Sequence, residues 1–170
     1  MTELKMNTAQ DILKEKKRKT VSISHDKSIF SAIQIMVEKK VGAILVTKKK
    51  EIVGIWTERD LLRNLLEPNF DPRKAKMEAY MISPVIEASF DTPLIKLQEM
   101  FLGLYIRHIL IKKGKKNLGL LSIGDVVRAN LLKKDEEVKT LNAIAGWEYY
   151  ENWGWHHKLA AKEKKNKNKK

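Results

Sequence analysis

The chain of 170 residues contains no cysteine. Disulfide bonds, thiolate-ligated metal sites and a cysteine nucleophile are therefore excluded. The chain also has no long apolar run, because its most apolar stretch, residues 101–111, is interrupted by Arg107 and His108 and is too short to span a bilayer. The first ten residues lack the apolar run of a secretory signal. We therefore expect a cytoplasmic protein with no membrane contact.

The charge is strongly unbalanced, with a formal net charge of +13 at pH 7. Residues 158–170 contain seven lysines and one glutamate, so nearly half of the excess lies in this short segment. Its low complexity and shortage of apolar side chains predict a disordered basic tail. Such a tail allows weak contact with nucleic acid through phosphate charge, whereas the rest of the chain is only mildly basic.

One phrase of the sequence occurs twice. GIWTERDLLRNL begins at Gly54, and GLLSIGDVVRAN begins 65 residues later at Gly119. The same offset aligns apolar positions over most of both halves, for example Ile44-Leu45-Val46 with Ile109-Leu110-Ile111. Matching of this extent indicates an internal repeat rather than a chance echo.

Each half predicts the order β-α-β-β-α. Short strands are expected at residues 20–23 and 84–88, and each precedes an amphipathic helix with apolar residues at helical spacing. Thr92 before Pro93 predicts the start of the second such helix, with threonine as N-cap and proline at the first helical position. Two strands joined by a lysine-rich turn follow, and a second helix closes each half.

One unit of this kind is too small to bury much core alone. The predicted fold class is α/β (α+β), with two β-α-β-β-α units packed sheet to sheet in pseudo-twofold symmetry. Apolar spacing at Val138, Leu141 and Ile144 predicts that the last helix continues beyond the second unit. We predict a first repeat at 8–66, a linker at 67–76, a second repeat at 77–132, a C-terminal helical and aromatic extension at 133–157, and the basic tail at 158–170.

The duplicated phrase has a regular pattern: glycine, an apolar residue, a variable position, a hydroxyl residue, two variable positions and aspartate. Gly54–Asp60 and Gly119–Asp125 both match it. Together with Arg107-His108-Ile109 before a predicted strand, they resemble the cystathionine β-synthase (CBS) domain, which commonly occurs as a tandem pair called a Bateman module. The resemblance covers residues 8–132, about three quarters of the chain.

The resemblance implies a regulatory sensor module. Tandem CBS domains commonly bind AMP, ADP, ATP or S-adenosylmethionine in the cleft between the repeats. It therefore implies an adenine nucleotide as regulatory ligand, no required cofactor, and action on a regulated protein partner or on the chain's own assembly. Modules of this family often form homodimers. A competing hypothesis is a nucleic-acid-binding protein that uses the basic tail and the C-terminal aromatic residues.

The same resemblance assigns nucleotide-binding residues. Asp60 and Asp125 each offer two carboxylate oxygens to the hydroxyls of a ribose, and the hydroxyls of Thr57 and Ser122 suit a phosphate. The glycine of each motif would let a flat base approach the strand. The expected ligand-binding residues are Thr57, Asp60, Ser122, Asp125, Arg107, His108, Arg59, Val21 and Ile86.

A simpler interpretation stays open for both motifs. Thr57-x-x-Asp60 and Ser122-x-x-Asp125 also fit a capping box, in which the hydroxyl and the acid satisfy the first backbone groups of a helix. Catalysis is not expected, because we recognise neither a serine–histidine–acid pattern typical of a catalytic triad nor a metal-ligand spacing in the sequence. We therefore predict that the chain is not an enzyme and has no metal site.

Aromatic residues crowd a short segment near the end of the chain. Rings packed on the module or across a dimer are one explanation, and a docking surface for a partner or for stacked bases is another. The cluster comprises Trp147, Tyr149, Tyr150, Trp153 and Trp155.

Overall fold

The computed structural model describes residues 7–16 and 19–145, with side chains up to Lys139. The aromatic cluster and the basic tail at 158–170 lie outside the described residues. The described residues fall into two compact units, one extending to residue 126 and the other containing residues 127–145. No described helix is both long and apolar enough to cross a membrane.

Both repeats follow the predicted β-α-β-β-α order, and each is preceded by an additional short helix. The first half contains α1 (Ala9–Glu15), β1 (Ser22–Ser24), α2 (Ile29–Lys39), β2 (Ala43–Lys48), β3 (Glu51–Thr57) and α3 (Glu58–Asn64). The second contains α4 (Met77–Tyr80), β4 (Glu87–Ser89), α5 (Leu94–Gly103), β5 (His108–Lys113), β6 (Lys116–Ser122) and α6 (Ile123–Ala145). Each half forms a three-stranded sheet with one parallel and one antiparallel pair, which confirms the mixed α/β class.

The start of α5 differs from the prediction by one residue. Pro93, not Thr92, holds the N-cap position, and no side chain caps this helix. Proline has φ −62° there but an extended ψ of 148°, so its fixed φ precedes the helix instead of starting it. The Thr92 amide instead closes a turn by donating to the Ser89 carbonyl at 3.1 Å.

The two sheets pack against each other within the first unit. Ala43, Leu45 and Ile55 of one sheet form a buried cluster with Leu110 and Leu120 of the other. A second buried cluster joins the opposite face of the first sheet to α2. Successive strand residues point to opposite faces, so each central strand contributes to both sides of its sheet. The predicted sheet-to-sheet packing is confirmed.

The helices α1 and α4 each lead into one repeat but bond to the other. The Ala9 amide donates to the Thr92 carbonyl, and the Met77 amide donates to the Lys27 carbonyl, both at 2.9 Å. The two acceptors stand 65 residues apart, as the repeat requires, whereas the two donors stand 68 apart. The stretch from the start of α1 to the start of β1 is therefore three residues longer than its counterpart from α4 to β4, because α1 has 7 residues and α4 has 4.

The closing helices differ in length and in what they expose. α3 has 7 residues, whereas α6 has 23 and extends to Ala145, as the spacing of its apolar residues predicts. Leu62 is 65% exposed, but Val126, which stands one position before the counterpart of Leu62 in the helix of the second repeat, is buried at 1% exposure. Two apolar residues that are adjacent in a helix therefore do not both face outward, because neighbouring helix positions point about 100° apart.

We predict that Asn64 stabilises the first repeat through Trp56. The fully buried indole Nε1 donates to Asn64 Oδ1 at 3.1 Å, and Asn64 is itself 8% exposed. Asn64→Ala leaves a buried donor unsatisfied and should lower the free energy of unfolding by about 1–3 kcal/mol, measured by urea denaturation. In a Trp56→Phe background the same substitution should cost clearly less. Equal costs in both backgrounds would contradict the assignment.

Candidate functional site

A cleft of about 290 Å³ lies between the two repeats of the first unit. Its walls are the junction of β3 and α3, the loop before β4, and residues 105–108 before β5. Three of the expected ligand-binding residues, Val21, Ser122 and Asp125, are not part of its lining. The other six line it together: Thr57, Arg59, Asp60, Ile86, Arg107 and His108.

Asp60 is the buried carboxylate of this cleft, with only 5% of its surface exposed. Its Oδ2 accepts hydrogen bonds from the Thr57 amide at 3.0 Å and the Thr57 hydroxyl at 2.6 Å, and its own amide donates to that hydroxyl at 3.4 Å. The capping box is therefore present at the start of α3. Oδ1 has only a long contact, 3.5 Å, with the Arg63 guanidinium.

The same cap occurs a third time, outside the duplicated motif, at the start of α1. Asp11 Oδ2 accepts from the Thr8 amide at 3.1 Å and from the Thr8 hydroxyl at 2.8 Å. Asp11 does not line the cleft. A threonine–aspartate cap is thus a general helix start in this protein, and what distinguishes Asp60 is the cleft around it.

Cationic side chains predominate among the charged residues of the cleft. Arg59 and Arg107 are exposed, and Arg63, which the sequence reasoning missed, joins them on α3. Glu58 opposes them with its carboxylate against Gly42, where a Cβ would stand 3.1 Å from Oε2. Three guanidinium groups suit an anionic ligand group such as a phosphate, for which arginine offers a fork of donors.

Exposed apolar side chains form the other part of the lining. Ile82 and Ile86 are 46% and 40% exposed, and Tyr105 is 86% exposed with φ 52°. Exposed apolar surface inside a cleft favours an apolar or aromatic ligand group. The sequence reasoning missed Ile82 and Tyr105, because neither belongs to the repeated motif.

The expected role of the motif glycines is corrected. A Cβ on Gly54 would stand 2.5 Å from Met81 Sδ, and a Cβ on Gly119 would stand 3.0 Å from Leu13 Cδ2. Gly54 therefore makes room for Met81, which follows α4, and Gly119 makes room for Leu13, which lies in the last turn of α1. Each of these apolar side chains occupies the space expected for a flat base. Val21 packs against the core of the first repeat and is not part of this cleft's lining.

Asp125, the counterpart of Asp60, has an additional partner. Its Oδ2 accepts from the Ser122 amide and hydroxyl and from the Lys16 ammonium, each at 2.7 Å. Burial would raise the pKa of Asp125, but the hydrogen bonds from Lys16 and Ser122 outweigh it and lower that pKa. Lys16 has no motif that could have predicted this contact.

His108 lines the first cleft and is half-buried. Burial, with the positive charges of Lys16 and Arg107, lowers the pKa of its imidazole to about 4, although Asp125 and Asp60 act in the opposite direction. The ring is therefore neutral near pH 7. It can exchange hydrogen bonds with a ligand but does not supply the positive charge expected from the sequence.

We predict that His108 makes the fold less stable as pH falls from 7 to 5. Its pKa is about 4 when folded but near 6.5 when unfolded, so in this window the unfolded chain binds more protons. Compared with His108→Gln, the parent should lose about 1–2 kcal/mol more of its unfolding free energy, measured by urea titration at both pH values. The contribution of Asp125 lies below this window, because its pKa is lowered. Equal losses in parent and variant would contradict the burial of this ring.

The chain resembles known proteins over most of its length. The family model for the CBS domain matches residues 9–67. The mitochondrial CBS domain-containing protein CBSX3 of Arabidopsis thaliana is 31% identical over 145 residues, which cover 80% of this chain and 70% of the relative.

Solved structures agree with this comparison. A CBS-domain protein of Agrobacterium tumefaciens superposes with a TM-score of 0.70 at 27% identity, covering 76% of this chain and 98% of that one. The hexameric CBS-CP12 protein of bloom-forming cyanobacteria shares the fold with a TM-score of 0.62 at 21% identity, covering 82% of this chain and 89% of that one. With its duplicated motif and its two sheets, the chain belongs to the CBS-domain family.

Proposed function

We propose that this chain is a regulatory, non-catalytic module that binds an adenine nucleotide in the cleft around Asp60. CBS domains generally act as regulatory sensors of adenosine ligands, which supports the class of ligand. The observation that carries the proposal for this cleft is the state of the Asp60 carboxylate. It is buried, one oxygen is fixed by the helix cap, and the other has only one long contact.

The lining residues divide into three roles. Asp60 Oδ1 accepts a ribose hydroxyl, and Thr57 holds the carboxylate in place for this contact. Ile82 and Ile86 offer apolar surface to the faces of the base. Arg59 and Arg107 neutralise the phosphates, for which a guanidinium provides parallel donors.

The excess of arginine favours AMP, ADP or ATP over S-adenosylmethionine, whose sulfonium is positively charged. Arg59, Arg63 and Arg107 would repel that centre, and Glu58 is the one exposed carboxylate of the cleft lining. A thermal-shift series with AMP, ADP, ATP and S-adenosylmethionine tests this ranking. A ligand present at 100 times its dissociation constant stabilises the fold by about 2.7 kcal/mol.

We predict that Asp60→Asn weakens nucleotide binding by about tenfold to a hundredfold, because it removes the charge from a hydrogen bond worth about 1.5–3 kcal/mol. The measurement is isothermal titration calorimetry with AMP, ADP and ATP. Asp11→Asn is the matched control, since Asp11 makes the same threonine–aspartate cap but does not line the cleft. If both variants weaken binding equally, or neither does, the carboxylate of Asp60 acts only as a helix cap.

The nucleic-acid alternative lacks support. The relatives found are named as CBS-domain proteins, and the basic tail and the aromatic cluster lie outside the described residues. The cytoplasmic location remains a prediction from the sequence; the name of the Arabidopsis relative places that protein in mitochondria.

We also propose that the chain forms a homodimer through apolar helix surface. Val37 on α2 is 72% exposed, and Leu62 on α3 and Leu66 just beyond it are 65% and 86% exposed. Exposed large apolar side chains such as these provide surface that an interface would bury. The cyanobacterial CBS-CP12 protein is described as hexameric, which supports self-association as a property of the fold.

We predict a dimer mass in multi-angle light scattering at micromolar concentration. Leu62→Asp with Leu66→Asp places two charges on this surface and should shift the mass toward the monomer, because burying an unpaired charge is costly. Lys115→Asp, in the exposed turn between β5 and β6, should leave the mass unchanged. A monomer mass for the parent, with and without nucleotide, would count against the dimer.

A further inference from the structure

The Lys16 ammonium forms an ion pair with Asp125, the motif carboxylate of the second repeat. It lies 2.7 Å from Asp125 Oδ2 and 2.8 Å from the Leu120 carbonyl oxygen. The two charged side chains are 19% and 23% exposed, so the pair is largely withdrawn from water. With the two hydrogen bonds from Ser122, Asp125 Oδ2 has three donors, whereas Asp60 Oδ2 has the two that Thr57 provides.

The edge of the strand beside Asp125 is also covered by side chains. The Leu120 amide donates to the Thr20 hydroxyl at 3.1 Å, while its carbonyl accepts from Lys16 at 2.8 Å. At the corresponding position of the first repeat, Ile55 exchanges two backbone hydrogen bonds with Ile82, at 3.0 and 2.8 Å. There the backbone, and not a lysine side chain, bonds to the strand edge.

The additional length of the first lead-in segment explains this difference. Leu13 packs on Gly119 as Met81 packs on Gly54. From Leu13 to Val21 the chain takes eight steps, whereas from Met81 to the matching Ile86 it takes five. Lys16 is the third residue after Leu13, whereas the third residue after Met81 is Pro84, which has no ammonium.

We propose that Lys16 closes the second cleft, which the repeat predicts around Asp125, to nucleotide, so that each chain binds one ligand, in the Asp60 cleft. This inference rests on the proposed function and adds to it the residue that makes the two clefts unequal. Lys16 already neutralises the Asp125 carboxylate and hydrogen-bonds its Oδ2, so a ribose hydroxyl would meet a carboxylate whose charge is paired unless the ammonium leaves. Gly124 adds to the inequality, because it stands where the first repeat has Arg59 and supplies no charge for a phosphate.

The test is the number of ATP and AMP molecules bound per full-length chain, measured by isothermal titration calorimetry. The parent should bind one, and Lys16→Met should bind two. Lys14→Met is the matched control: it makes the same change in the same segment, but at an exposed residue, and should still bind one. Lys16→Gln, which removes the charge and retains a donor for Leu120, provides a second variant if the methionine variant folds poorly.

A second arm identifies the cleft that opens. Asp60→Asn should weaken binding about tenfold or more, and adding Lys16→Met should restore tight binding that Asp125→Asn then removes. Two sites in the parent, or one site in folded Lys16 variants while the parent still depends on Asp60, would overturn the closure by Lys16 and leave the proposed function standing. Binding by none of the variants would overturn both.

Discussion

The packing of one small sheet on the other is the contact on which this structure depends. Each sheet has only three strands, and the apolar residues of its central strands point to both faces. The helices cover one face, so the other remains exposed unless a second sheet meets it. Leu45 and Ile55 meet Leu110 and Leu120 there, and full burial of such side chains contributes about 1.5–3 kcal/mol each. The cleft follows from this packing, because it brings the strand and helix ends of both repeats together.

Crossing of the lead-in helices reinforces the same contact. Because α1 bonds to the second repeat and α4 bonds to the first, each repeat is held in part by residues that precede the other repeat. The crossing also places side chains from one half beside the motif of the other. Met81 covers Gly54, and Leu13 covers Gly119. A difference in lead-in length therefore changes one cleft and not the other.

The position of a cap decides its chemistry. Thr8-Asp11, Thr57-Asp60 and Ser122-Asp125 form nearly the same hydrogen bonds at three helix starts. Only Asp60 combines burial, an oxygen with one long contact and an adjoining cleft. Asp11 lies outside that cleft, and Asp125 is neutralised by Lys16. The cap thus serves local helix stability everywhere, and a ligand role requires what the fold places around it.

The repeat alone predicts the element order, the two sheets and their packing, because apolar periodicity and the need for burial are local properties of the sequence. The resemblance to the CBS domain, and not the repeat alone, predicts six residues that line the cleft. What the sequence could not predict depends on contacts between distant residues. Lys16 meets Asp125 across 109 positions, and the pKa of His108 falls to about 4 through burial and charges from both halves. Such contacts have no periodic signal, so only the tertiary structure decided which of the two motif carboxylates is paired with an ammonium.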